Sequence, residues 1–141
     1  VGKIGIADEI LLAGEDLSEA REQALQEHTR IGHRLLEKST SEYLKMAAEI
    51  CLHHHERYDG RGYPQGVKGN EIPLSARIVA VAEAFDDLTA SRYRDGHDQI
   101  DAAMSSLAAR KNAAFDPVCV EVLGNHIQIA REIMSAFADP A

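Results

Sequence analysis

Apolar residues recur at spacings of three and four along most of the chain, the period of helices with one buried face. From residue 18 the stripe runs Leu25, His28, Gly32, Leu35 and Leu36, which places His28 on the inward face. Ser18 is the expected N-cap, with Leu17 before it and Glu19 and Glu22 suited to the start of the helix dipole. Residues 1–17 read as a loop-like lead-in with a turn at Ala13-Gly14-Glu15-Asp16. Ser39-Thr40-Ser41 ends the helix and caps the next, whose inward stripe is Leu44, Ala47, Ala48, Cys51, Leu52 and His55. A glycine-rich loop from Asp59 to Asn70 follows.

Pro73 is well placed as the first residue of another helix, with Leu74, Ile78, Val81, Ala82, Phe85 and Leu88 on one face. Val79 and Ala80 widen its apolar surface, which predicts a central, well-covered helix. Glu83, Asp86 and Asp87 are therefore acids on an apolar helix, and a buried carboxylate needs a metal, an arginine or a histidine as partner. Arg77 and Arg92 are candidate ion-pair partners for Glu83. Ser91 to Gly96 is a basic turn. A helix with Ile100, Ala103, Met104, Leu107 and Ala108 inward comes next. Asp116-Pro117 predicts an N-cap followed by proline at the first helical position. The last helix, interrupted at Gly124, turns Ile129, Ala130, Ile133, Met134 and Phe137 inward. No period-two alternation, repeat or low-complexity tract is present, so the expected fold class is all-α.

At 141 residues the chain suits one domain with a substantial core. No apolar run approaches the roughly 20 residues of a membrane span. The start lacks a signal peptide's apolar region and also an initiator Met, so the chain is expected to begin partway through a longer protein. A net charge of -8 argues against a nucleic-acid polymer as partner, but not against a small phosphate ligand bound through metal. Cys51 and Cys119 sit in helical apolar patterns and read as reduced core residues, which fits a cytoplasmic location.

The stretch Leu52-His53-His54-His55-Glu56-Arg57-Tyr58-Asp59-Gly60-Arg61-Gly62-Tyr63-Pro64 carries the candidate chemistry. Imidazole and carboxylate ligands suit Fe²⁺, Mn²⁺ and Zn²⁺, and His28, His54, His55 and Glu83 are offered from three predicted helices. Adjacent histidines at a helix end point in different directions, so they can serve two metals, or a metal and a substrate. A two-metal centre would activate water for attack at phosphorus and stabilise the leaving oxygen. The plainer alternatives are a satisfied core histidine for His28 and a solvated helix end for the histidine run, His53 above all. His33, His97 and His126 lack supporting spacing and read as surface residues. No strand precedes Gly60-Arg61-Gly62, which argues against a dinucleotide-binding fingerprint.

The chain resembles the HD-GYP domain family through Gly2-Lys3-Ile4-Gly5-Ile6, His28 with Gly32, the run from His54 to Pro64, Ile72-Pro73-Leu74, Ala76-Arg77-Ile78 and Phe115-Asp116-Pro117. The resemblance implies a helical, HD-domain-like bundle over residues 1–141. It also implies hydrolysis of cyclic di-GMP to a linear dinucleotide or GMP at two or three metals, iron or manganese being expected. By position, His28, His54 and His55 resemble family metal ligands, and Glu83 stands where the ligand is usually Asp. Lys3 resembles a catalytic, phosphate-binding lysine, and Arg92 and Arg94 resemble residues holding the other phosphate. Tyr63 belongs to the signature loop Gly62-Tyr63-Pro64, which shapes the site, contacts substrate and docks a diguanylate cyclase or other signalling proteins. A homodimer fits this setting. An upstream helix, the His-Asp pair immediately before Val1 and a regulatory domain are expected outside the chain. The turn at Arg92-Tyr93 is one residue shorter than the family's Arg-Pro-Tyr. With Glu83 and the missing pair, this motivates the alternative of a catalytically degenerate binding module.

Overall fold

The computed structural model describes residues 1–11, 18–90 and 98–136. Among these it is all-α, as the periodicity predicts. The helices are α1 (Asp8–Leu11), α2 (Glu19–Leu36), α3 (Glu42–His53), α4 (Leu74–Ala90), α5 (Asp98–Ala109), α6 (Pro117–Asn125) and α7 (Ile127–Ala136). Short 3₁₀ turns occupy Gly2–Gly5 and Gly69–Glu71.

α4 is the central helix, packing against α3, α5 and α6, while α2 lies along α3 and receives the first 3₁₀ turn. Val81 and Phe85 of α4 meet Ile100, Ala103 and Leu107 of α5, then Ala114, Phe115 and Val120 around the start of α6. Asp116 caps α6 by accepting from the Val118 N–H at 2.8 Å, with Pro117 first in the helix. Arg77 reaches from α4 to the same carboxylate and also donates to the Ile72 carbonyl at 2.9 Å. This buried pair joins the loop before α4 to the start of α6, and it removes Arg77 as a partner for Glu83.

Several expectations are corrected. The lead-in is helical at Gly2–Gly5 and Asp8–Leu11. The buried Gly2 lets the first turn settle on α2, since a Cβ there would lie 1.7 Å from the His28 carbonyl oxygen. α4 starts at Leu74, one residue after Pro73. Leu35 and Leu44, expected inward, are exposed. Leu74, Ile78 and Ala82 are exposed too, and with Val118 and Val122 they line an open apolar groove, because α6 covers only part of α4. The break in the last helix falls at His126 (φ -116°, ψ 20°), two residues after Gly124. That restart leaves Ala130 and Met134 on the core while Ile129 and Ile133 face outward. Phe137 and the turn at residues 13–16 lie outside the described residues. The cysteines are free, and both are half-buried where core positions were expected.

Candidate metal centre

His28 is buried in the middle of α2, whereas His54 caps the end of α3 and His55 follows it. The α2–α3 packing brings the three rings together, with centroids 5.4 Å apart for His28–His54, 5.1 Å for His28–His55 and 4.1 Å for His54–His55. One nitrogen from each lies within 4.8 Å of the other two.

Backbone carbonyls orient two of these rings. His28 Nδ1 lies 2.6 Å from the Leu25 oxygen, and His54 Nδ1 lies 2.9 Å from that of Ile50 and 3.1 Å from that of Cys51. A carbonyl accepts only, so each Nδ1 carries the proton, and in the neutral ring each Nε2 is left as a lone pair. Those two Nε2 atoms face each other at 3.4 Å. Two lone pairs repel at that range, whereas a cation between them is attracted to both. Nitrogens each about 2.0–2.1 Å from one ion can span such a gap. The donor set therefore fits a divalent metal, with backbone carbonyls in the outer-shell role common for metal-binding histidines.

Electrostatics point the same way. Burial is the chief cause that lowers the His28 pKa, helped by His54 and Lys3 and opposed by the Leu25 hydrogen bond and Glu83. His55 is pushed down to about 3, by burial first and then by His54, His28 and Lys3. Neutral rings keep their lone pairs for a metal rather than a proton.

The loop after His55 is held by an acid used in an unforeseen way. Glu56 is only 3% exposed, and its carboxylate accepts from the Gln65 N–H at 2.7 Å and the Gly66 N–H at 3.0 Å. The chain thereby folds back so that the Tyr63 N–H donates to the His55 carbonyl at 3.2 Å. Glycine is required at residue 62, where a Cβ would lie 2.3 Å from the Arg57 nitrogen. Tyr63 then stacks on His55 with centroids 4.8 Å apart, and burial followed by Glu83 and Glu22 raises its hydroxyl to about 12. Arg30 of α2 closes the loop by donating to the Pro64 carbonyl at 3.1 Å.

Two cavities meet at His54 and Glu83. One, about 220 Å³, is lined by Lys3, His28 and Cys51; the other, about 230 Å³, includes His55, Asp87, Arg110 and Phe115. Glu83 thus borders the cluster from α4, but its carboxylate is not among the ligand atoms lying within 4.8 Å of one another. Lys3 is brought to the cleft by the first 3₁₀ turn. Arg92, Arg94 and His97 lie outside the described residues. His53 differs from the solvated helix end expected: it is half-buried, and its Nδ1 has no hydrogen-bond partner among the described residues. His33 is likewise half-buried beside Glu37, at 3.3 Å, whereas His126 is exposed. Sequence reasoning missed Arg110 and the anchoring role of Glu56, because neither has a periodic or motif signal of its own.

A helical bundle with clustered histidines on consecutive helices, beside a lysine-bearing turn, defines the class. The chain belongs to the HD domain family, whose model matches residues 1–119. It is 46% identical over 123 residues to the cyclic di-GMP phosphodiesterase response regulator RpfG of Xanthomonas campestris, covering 87% of this chain and 32% of that protein. It is 38% identical over 137 residues to a cyclic di-GMP phosphodiesterase of Thermotoga maritima, covering 97% and 36%. A 3′3′-cGAMP-specific phosphodiesterase of Vibrio cholerae is 39% identical over 129 residues, covering 89% and 24%. The chain thus spans about a third of the length of the first two. The fold is similar to the crystal structure of a cyclic GMP-AMP specific phosphodiesterase of V. cholerae. There the TM-score is 0.62 at 23% identity, over 98% of this chain and 35% of that one.

Proposed function

We propose that this domain hydrolyses cyclic di-GMP at a centre of two or three divalent metals, as part of a cytoplasmic bacterial signalling protein. The observation that carries the reading is the pair of facing Nε2 lone pairs, 3.4 Å apart, in a cleft shared with Lys3 and Glu83. The phosphodiesterase names of the family relatives support the same activity. In this reading residues 1–141 are one domain, completed by an upstream helix and a His-Asp pair and preceded by a regulatory domain.

His28, His54 and His55 hold metal together with that pair and Glu83. Iron or manganese suits this mixture of imidazole and carboxylate. Bound there, such an ion supplies Lewis-acid polarisation of phosphate and activation of water. Lys3 places its ammonium where it bears on both His28 and His55, and so on a phosphate seated at the cluster. Arg92 and Arg94 hold the second phosphate. The Tyr63 hydroxyl stays protonated at neutral pH and serves the substrate as a donor. Because Glu56 and Arg30 brace the Gly62-Tyr63-Pro64 loop, it offers a shaped surface to a diguanylate cyclase or another signalling protein, and a homodimer is compatible with this.

One observation favours a second reading, a degenerate module that binds without hydrolysis. The Glu83 carboxylate stands outside the close group of ligand atoms, and its extra methylene relative to Asp changes its reach. The deciding experiment loads the full-length protein with Mn²⁺ or Fe²⁺, measures bound metal and follows cyclic di-GMP by chromatography. The linear dinucleotide or GMP is the expected product. Stoichiometric metal without turnover overturns the hydrolase reading and leaves the binding module.

A further inference from the structure

We infer that the arm of the cleft between α4 and the α5–α6 connection is a guanine subsite, in which Arg110 and Asp87 read adjoining edges of one base. The inference deepens the cyclic di-GMP reading and rests on it for the identity of the ligand. The arm holds about 230 Å³, below the roughly 300–1,000 Å³ of pockets that enclose a drug-sized ligand, so it suits a single base and not a whole dinucleotide. His54 and Glu83 border both arms, so a phosphate at the histidine cluster leaves one half of a dinucleotide on the Lys3 side and its neighbouring base on the Arg110 side.

The charged groups lining this arm are not equivalent. Glu56 is committed to the Gln65 and Gly66 N–H groups, and Arg57 to Asp59 at 2.9 Å. Neither Arg110 nor Asp87 takes part in a salt bridge among the described residues. Arg110 is nonetheless held in place: Nε donates to the Ser106 carbonyl at 3.2 Å, Nη2 donates to the Ser106 hydroxyl at 3.0 Å, and the guanidinium lies over the Phe115 ring at 5.0 Å. Of five guanidinium N–H donors these bonds use two, which leaves three, including hydrogens on both terminal nitrogens.

Guanine offers the complementary pattern. Its O6 and N7 accept from an arginine fork, and its N1–H and N2–H groups donate to a carboxylate. Adenine puts an amino donor where guanine has O6 and lacks the N1–H, so it would set a donor against Arg110 and leave Asp87 unpaired. A phosphate fits this arm poorly, because Asp87 repels it there, whereas the Lys3 arm has no second carboxylate beside the shared Glu83 and supplies an ammonium. The arm thus selects for guanine by penalising the wrong base.

The test compares cyclic di-GMP, 3′3′-cGAMP and cyclic di-AMP on the metal-loaded full-length protein. Both kcat/KM and equilibrium binding by calorimetry are measured for wild type, Arg110→Lys and Asp87→Asn. Arg110→Lys keeps the charge and the stem over Phe115, and Asp87 is exposed, so both variants should fold; thermal unfolding checks this. Wild type is expected to prefer cyclic di-GMP to cyclic di-AMP by at least about tenfold. Each variant is expected to lose roughly 10- to 100-fold for cyclic di-GMP with little loss for cyclic di-AMP. Equal losses for both ligands would overturn the inference, since they would mark Arg110 as a phosphate contact or a structural residue. Wild-type indifference to the base would overturn it as well. Selective binding without turnover would support the guanine subsite while overturning the hydrolase reading, so the two fail separately.

Discussion

The two halves of the molecule are held together by different physics. Around α4, α5 and α6, eight buried apolar residues form one cluster, and its main buried charge pair, Arg77–Asp116, is internally satisfied. Where α2, α3 and the first 3₁₀ turn meet, the buried residues are mostly small or polar, namely Gly2, His28, Thr29, Gly32 and Ala48, with Ile6, among the described residues, the one large apolar side chain buried at the end of the turn. Small residues there let backbones approach closely, which aims imidazoles at one another but buries little apolar surface. Most of the apolar stabilisation thus resides in one half and the clustered histidines in the other. The first should fold without metal; the second should gain order when metal binds.

The largest expected effect is on the apolar half. Asp116→Ala removes a helix cap and the carboxylate partner of the largely buried Arg77 guanidinium, which keeps only its neutral acceptors, for a loss of about 3 kcal/mol. Urea unfolding measures this, while metal content of the folded fraction should stay unchanged; a fall in metal content would break the separation. Next, His54→Ala should weaken metal binding at least 100-fold, or about 2.7 kcal/mol, with the unfolding midpoint no longer responding to added metal. For wild type, a chelator should speed amide exchange in α2, α3 and the 54–63 loop and leave α5 unaffected. Gly62→Ala should follow at about 1–3 kcal/mol, because the new methyl overlaps the Arg57 amide and shifts Tyr63 off His55. Reduced metal affinity in that variant, measured by calorimetry, would tie loop shape to the site.

The smallest effect concerns acid. Arg57, chiefly by hydrogen bonding, holds the Asp59 carboxyl below its ordinary range, and the Arg61 N–H assists. A depressed carboxyl contributes stability above its unfolded pKa, about 3.9, and the contribution disappears as pH falls through the lower folded value. Asp59→Asn should therefore narrow the difference in loop protection between pH 5 and pH 2.5, read by amide exchange at Gly60 and Arg61, and change little at pH 7.

Much of the fold was legible because helices write their buried face into a period of three and four. That period placed His28 inward, made α4 central and left Asp116-Pro117 as a readable helix start. It failed where burial depends on a neighbour that sequence does not position. Leu74 and Ile78 carry the right spacing, yet an open groove separates them from Val118 and Val122 of α6 and they stay exposed. His53 was assigned to solvent because it ends a helix, but packing around it half-buries the ring. Glu56 was visible only as an acid after histidines. Its partners are backbone N–H groups nine and ten residues on, which no side-chain pattern announces.

By itself, then, the sequence determined the all-α class, the inward phase of His28, the candidate pair His54 and His55, and the loop that marks the family. The class and the phase of His28 follow from local rules, helical period and capping chemistry, whereas the pair and the loop follow from the family resemblance of the run from His54 to Pro64. Tertiary structure alone decided that the Nε2 atoms of two histidines on different helices face each other at 3.4 Å, that Arg77 belongs to Asp116 and not to Glu83, and that Arg110 shares a cavity with Asp87. Those distances arise from how closely the helices approach. That approach is set by residues such as Gly2 and Gly32, whose missing side chains carry no chemical signature of the site they make possible.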